Sequence, residues 1–331
     1  MKDSSPLSRP AVAAALALIP CFLWGSAVPC IKIGCQLFQL SSGDIPGQLV
    51  FAGIRFSIAG LMVIGFASIR ARQLATPSKA TLPMVLKLGC VQTILQYVFY
   101  YAGVANTSGV NAAIIPATNT FFCILLATLV FRYEALTARK LIGCAVGFAG
   151  VALINLSSSS GGQGSLLGDG LVLIAAIAYA FSSVLVKRYS QKENTFVLCG
   201  WQFLFGGVVM TLLGLVLGGR LAAPTPTSAA LLVYMGFISA VAYSLWSVML
   251  AHNPVARISV FGFMNPVFGV LLSALLLGEG EAAFRPQGLA ALVLICVGIL
   301  VVNKASAKHS LLICGRGLFS PPAGSIMERA E

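Results

Sequence analysis

Apolar residues in this chain come in long, nearly unbroken runs, and short polar stretches separate them. A run of about 20 apolar residues matches an α-helix crossing the hydrocarbon core of a bilayer. The pattern predicts ten such helices, at residues 11–33, 48–69, 84–104, 109–131, 138–156, 168–187, 195–218, 228–250, 257–278 and 286–303. Turn-forming stretches such as Ser41-Ser42-Gly43-Asp44 and Pro224-Thr225-Pro226 fall between them. Residues 157–166, beginning with four serines and two glycines, read as a flexible linker. Residues 1–10 read as a short N-terminus and 305–331 as a disordered tail. The first run follows Lys2 and Arg9 as a signal peptide would, but it is long and lacks a convincing small-residue cleavage site. It is therefore read as a retained helix.

Composition narrows the class further. Of 331 residues, 58% are hydrophobic and 9% charged, against about 25% charged in soluble domains; the mean hydropathy is +0.93. So few charges cannot cover a water-soluble surface, which excludes a cytosolic enzyme, a nucleic-acid-binding module and a disordered scaffold. The 34 glycines suit membrane helices, where small residues permit close packing. The nine cysteines contain no C-x-x-C pair, so neither zinc nor a disulfide framework is indicated.

The net charge of +12 does not form a binding face. Taking the ten helices in alternation, sixteen Lys and Arg residues fall on the side holding the termini. Only Arg220 and Arg285 fall on the other, while Lys32, Arg55 and Lys87 lie within or at the edge of helices. Cytoplasmic loops carry the excess of Lys and Arg, so both termini of this multi-pass protein are expected in the cytoplasm.

The two halves of the chain resemble each other. Trp24 and Lys32 in the first helix are matched by Tyr179 and Lys187 in the sixth. The fifth helix ends in apolar residues and Asn155, and the tenth in apolar residues and Asn303. The fourth and ninth are each closed by an acid, Glu134 and Glu279. Five helices per half is an odd number, so the second half, 167–304, lies inverted relative to the first, 11–156. Inverted repeats place a substrate pathway between the halves.

Several stretches carry a family resemblance. They are Leu23-Trp24-Gly25-Ser26 with Lys32, Ile54-Arg55-Phe56, Phe131-Arg132-Tyr133-Glu134-Ala135-Leu136-Thr137 with Gly143, and Phe261-Gly262-Phe263-Met264-Asn265-Pro266-Val267-Phe268-Gly269-Val270 running to Leu277-Gly278-Glu279. The ordered set resembles the drug/metabolite transporter superfamily, specifically its EamA-type ten-helix members, over roughly residues 10–304. The resemblance implies an all-α integral membrane fold of ten transmembrane helices in two inverted five-helix EamA repeats. It also implies a secondary carrier in the plasma membrane that moves small metabolites, often amino acids or related compounds, usually outward. A nucleotide-sugar or other organic-anion exchanger of the same superfamily fold is the alternative.

Polar and aromatic residues inside the helices are candidates for a substrate cavity, because burying them in lipid is costly. These are Trp24, Ser26, Arg55, Gln92, Gln96, Tyr97, Tyr100, Asn119, Tyr179, Ser182, Tyr243, Trp246 and Asn265. Gln92, Gln96 and Tyr100, spaced i, i+4, i+8, form a stripe on one helical face; it either lines a substrate path or binds neighbouring helices. Arg55 lies about seven residues inside its helix, on the order of 10 Å at 1.5 Å per residue. It either snorkels to the interface or anchors a substrate carboxylate or phosphate. Pro29, Glu134, Pro266 and Glu279 are candidates for hinge or gate positions, and a kink at Pro266 would present Asn265.

No acid lies in the middle of any predicted helix. The superfamily's four-helix multidrug exporters use a glutamate in the first helix, so a lipophilic-cation/proton antiporter of that kind is disfavoured. A neutral, zwitterionic or anionic substrate fits better. His252 and His309 have no metal-ligand partners, no phosphate-binding G-x-x-x-x-G-K-[ST] stretch occurs, and no catalytic constellation is visible. No cofactor and no enzymatic activity are expected. The implied partners are a small-molecule substrate and the bilayer, not nucleic acid. Proton or exchange coupling, and a monomer or a homodimer, all stay open.

Overall fold

The computed structural model of the chain describes residues 6–41, 43–107, 109–157, 165–277 and 286–316. Among these residues there are helices and turns and no strand. After a 3-10 turn at Pro6–Ser8 come α1 (Pro10–Leu37) and α2 (Ile45–Ala71). Next is α3 (Leu82–Val104), which contains a π-helical turn at Cys90–Leu95. The fourth helix, α4, is interrupted, as Gly109–Ala117, Asn119–Leu125 and a π-helical turn Leu126–Val130. Then follow α5 (Ala138–Ser157), α6 (Leu166–Tyr189), α7 (Thr195–Val216) and α8 (Pro226–His252). The ninth, α9, is interrupted like α4, as Val255–Ser259, a 3-10 turn Val260–Phe263 and Met264–Leu277; α10 is Pro286–Arg316.

Every predicted apolar run lies on one of these helices. Six of them, α1, α2, α3, α6, α7 and α8, are long and apolar enough to cross a membrane; the apolar stretches Ile114–Val130, Val255–Gly269 and Leu289–Lys304 are shorter. The last helix corrects one boundary. It continues past 303 to Arg316, so residues 305–316 of the expected tail are helical. No proline or glycine stands between Asn303 and Gly315 to stop it.

Helix starts are set by local chemistry. Asp44 caps α2 by accepting from Gly47 N at 2.9 Å, and Ser165 caps α6 through Gly168 N at 3.0 Å. Asn194 accepts from Phe196 N at 2.9 Å at the start of α7, and Thr225 and Ser228 form a capping box on α8. These side chains satisfy backbone donors that have no partner inside the helix.

The principal packings are α2 on α7, α5 on α10, α3 on α6, α1 on α8, α4 on α6 and α1 on α9. Replacing each helix by the one five places along reproduces the same set. Two glycine seams hold the self-paired helices. A Cβ on Gly60 would stand 2.5 Å from Leu204 N, and one on Gly298 would stand 2.6 Å from Gly143 O, so the backbones meet where no side chain fits. Gly143 and Gly147 thus pack against α10 of their own chain.

The α2–α7 seam exposes a correspondence that sequence reading missed. Gly53 faces Gly207 and Gly60 faces Gly200, which sets Gly53-Ile54-Arg55-Phe56 against Gly200-Trp201-Gln202-Phe203. The two phenylalanine rings stack with centroids 5.2 Å apart and planes 6° apart.

Hydrogen bonds between loops define two ends of the bundle. At the first, Ser8 Oγ donates to His252 O, Asn253 Nδ2 to Leu7 O, Thr81 Oγ1 to Glu193, and Trp201 Nε1 to Ala75 O. At the second, Ala222 N donates to Phe38 O, Ser165 Oγ to Asn106 O, and Thr107 and Asn111 both donate to Asp169.

Candidate functional site

A cavity of about 230 Å³ lies among α1, α2, α3, α4, α6, α8 and α9. Its lining residues fall nearer the second end. Ile31 is close to the C-terminus of α1, Tyr100 to that of α3, and Val172 to the N-terminus of α6. Toward the first end the interior is filled by Cys21, Cys123, Ile124, Val184, Trp246, Met249 and Leu250, all buried in one cluster.

Nine candidate residues meet in this cavity: Trp24, Arg55, Gln96, Tyr97, Tyr100, Asn119, Tyr179, Tyr243 and Asn265. The Trp24 ring meets Tyr243 edge to face at 5.1 Å and Tyr179 at 6.4 Å. The Tyr97 and Tyr243 hydroxyls hydrogen-bond at 2.7 Å, joining α3 to α8. Arg55 does not snorkel. It is 4% exposed, and its guanidinium carbon lies 4.4 Å from the Phe56 ring centroid and 5.8 Å from that of Tyr97.

Four lining side chains carry a buried polar atom without a hydrogen-bond partner among the described residues. These are Trp24 Nε1, Arg55 Nε, Gln96 Oε1 and Asn265 Oδ1. Buried polar groups are ordinarily satisfied, so four together in one cavity mark groups available to a solute. No aspartate, glutamate or histidine is among the described lining residues.

The remaining candidates stand outside the cavity wall, for separate physical reasons. Ser26 Oγ donates to Leu23 O at 2.8 Å and Ser182 Oγ to Tyr179 O at 2.7 Å, each satisfied within its own helix. Trp246 lies beneath Trp24, ring centroids 5.2 Å apart, on the packed side. Gln92 lies within the π-helical turn Cys90–Leu95, is buried, and is not among the residues that line the cavity. Sequence reading missed Ser239 and Pro116, which also line the cavity. Pro116, three residues before Asn119 where α4 breaks, was a legible signal; Ser239 among the apolar residues of α8 was not.

Of the gate candidates, Glu134 is the best tied. Its carboxylate accepts from Lys140 Nζ at 2.9 Å, both side chains buried, and from Ala256 N at 3.3 Å, fixing the α4–α5 connection to the start of α9. Nearby, Lys187 Nζ donates to Leu250 O at 3.0 Å and Asn253 O at 2.5 Å. Pro29 sits within α1, which stays helical through it. Pro266 falls in the first turn of Met264–Leu277, where proline is tolerated; the break in α9 precedes it. Glu279 lies outside the described residues.

This arrangement has known counterparts. A "Probable amino-acid metabolite efflux pump" of Escherichia coli (strain K12) is 27% identical over 86% of this chain and 93% of its own length. An "Uncharacterized inner membrane transporter YedA" of the same strain is 28% identical, covering 84% and 87%. A solved crystal structure shares the fold with a TM-score of 0.74 at 18% identity, covering 90% of this chain and 98% of that one. The description of the EamA-like transporter family fits residues 11–156 and again 166–304. The chain is a multi-pass membrane transporter and belongs to the EamA-like transporter family.

Proposed function

We propose that the protein is a secondary transporter that exports small metabolites, amino acids or related neutral, zwitterionic or anionic compounds, by alternating access. In this reading ten helices cross the plasma membrane as two inverted halves with both termini cytoplasmic, and the cavity is the substrate site. The observation that carries it is the set of unpartnered donors and acceptors on Trp24, Arg55, Gln96 and Asn265. The helix pairing that survives exchange of the two halves supports the inverted repeat. The excess of Lys and Arg in loops on the termini side supports the orientation.

Charge bears on the alternative. Arg55 is the one cationic side chain among the described lining residues, whereas the two phosphates of a nucleotide sugar call for several. The test is counterflow in proteoliposomes with labelled amino acids, small organic anions, nucleotide sugars and cationic dyes. Saturable exchange of a small metabolite, with the dyes and nucleotide sugars excluded, is expected. Movement of dyes alone would contradict the reading.

A further inference from the structure

Resting on the transporter reading above, we infer that the carried species is an organic monoanion and that each cycle moves one negative charge. Arg55 is nine-tenths buried and lines the cavity, and its Nε finds no partner among the described residues. Among the described residues the lining holds no carboxylate to balance it. A buried cation without a counter-charge is strongly disfavoured, and the Phe56 and Tyr97 ring faces offset that only in part. The missing negative charge has to come with the solute.

The repeat sharpens this. At the place equivalent to Arg55 the second half carries Gln202, which is neutral and fully buried, its Oε1 accepting from Thr93 Oγ1 at 2.7 Å. A symmetric pair would supply two charges or none; this chain supplies one. A monoanion brings the occupied cavity to zero. A zwitterion leaves it at +1 and a cation raises it to +2. Gln96 Oε1 and Asn265 Oδ1 remain for a neutral donor on the anion, such as a hydroxyl or an amide N–H. Trp24, Tyr179 and Tyr243 supply walls for an apolar body. The loaded cavity then closes uncharged and the empty one returns with the charge of Arg55. A membrane potential negative inside therefore drives the anion outward without a coupling ion.

The experiment uses proteoliposomes of the full chain under potassium/valinomycin potentials. Three probes share a phenyl body: 3-phenyllactate (monoanion), phenylalanine (zwitterion) and phenylethylamine (cation). Phenyllactate is expected to move fastest and to accumulate toward the positive side. A potential of about 100 mV sustains a ratio of roughly 50-fold for one charge. Arg55→Gln, which gives both halves the same residue, is expected to lower phenyllactate transport at least about tenfold. Arg55→Lys, which keeps the charge, is expected to retain voltage dependence. Phenylalanine carried faster than phenyllactate, at a rate indifferent to the potential, would overturn the monoanion inference and leave the transporter reading intact. Failure of every solute in both panels, with protein that is folded by thermal melting, would overturn both.

Discussion

The two ends of the bundle treat their charged groups in opposite ways. At the end holding the N-terminus, Glu134, Lys140 and Lys187 are all engaged, with each other or with backbone of α9 and of the α8–α9 turn. Toward the other end, Arg55, Gln96, Trp24 and Asn265 surround a cavity with atoms left over. Both sets are buried, so burial alone does not mark a site. The difference lies in whether the charged groups have partners: Glu134, Lys140 and Lys187 find theirs in the protein itself, and the guanidinium of Arg55 faces a cavity with no described carboxylate.

The largest effect should come from breaking the paired end. Glu134→Ala strands the buried Lys140 and frees the start of α9, and is expected to destabilise the protein by about 3–5 kcal/mol. A lowered melting temperature in detergent checks this, and adding Lys140→Met should restore much of the loss. Next comes the seam that carries both regions. Gly60→Val forces a side chain against the α7 backbone and should cost about 1–3 kcal/mol, whereas Gly65→Ala, which meets nothing within 4 Å, should melt as the parent does. Tyr97→Phe removes the hydroxyl bridge to Tyr243 beside the cavity. It is expected to cost about 1 kcal/mol and raise KM a few-fold. Ser182→Ala, which loses only a bond to its own helix, should change transport by less than about twofold.

Much of the fold was legible, because lipid requires long apolar runs and each run lies on a helix. Arg55 was legible for the same reason, since a charge deep in such a run stands out whatever its role. The cavity itself was less so. Nothing in Cys90-Val91-Gln92-Thr93-Ile94-Leu95 marks the π-helical turn or shows that Gln92 is buried away from the cavity. Trp246 and Tyr243, one turn apart on α8, look alike in sequence, yet one packs below the cavity floor and the other lines it. Such choices depend on which neighbour covers each face, which a single helix does not encode. The match between Gly53-Ile54-Arg55-Phe56 and Gly200-Trp201-Gln202-Phe203 stayed hidden because its most informative position differs between the halves.

On this reading the cavity holds the transported solute and, in this conformation, is reached from the side opposite the termini. Ser239, on the cavity wall, offers the most direct probe. Ser239→Cys is placed in a background freed of the native cysteines and treated with a membrane-impermeant thiol reagent from each side in turn. Labelling from the side opposite the termini, slowed by the transported solute in proportion to its occupancy, is the predicted result. Labelling indifferent to solute, or none from that side, would contradict the account.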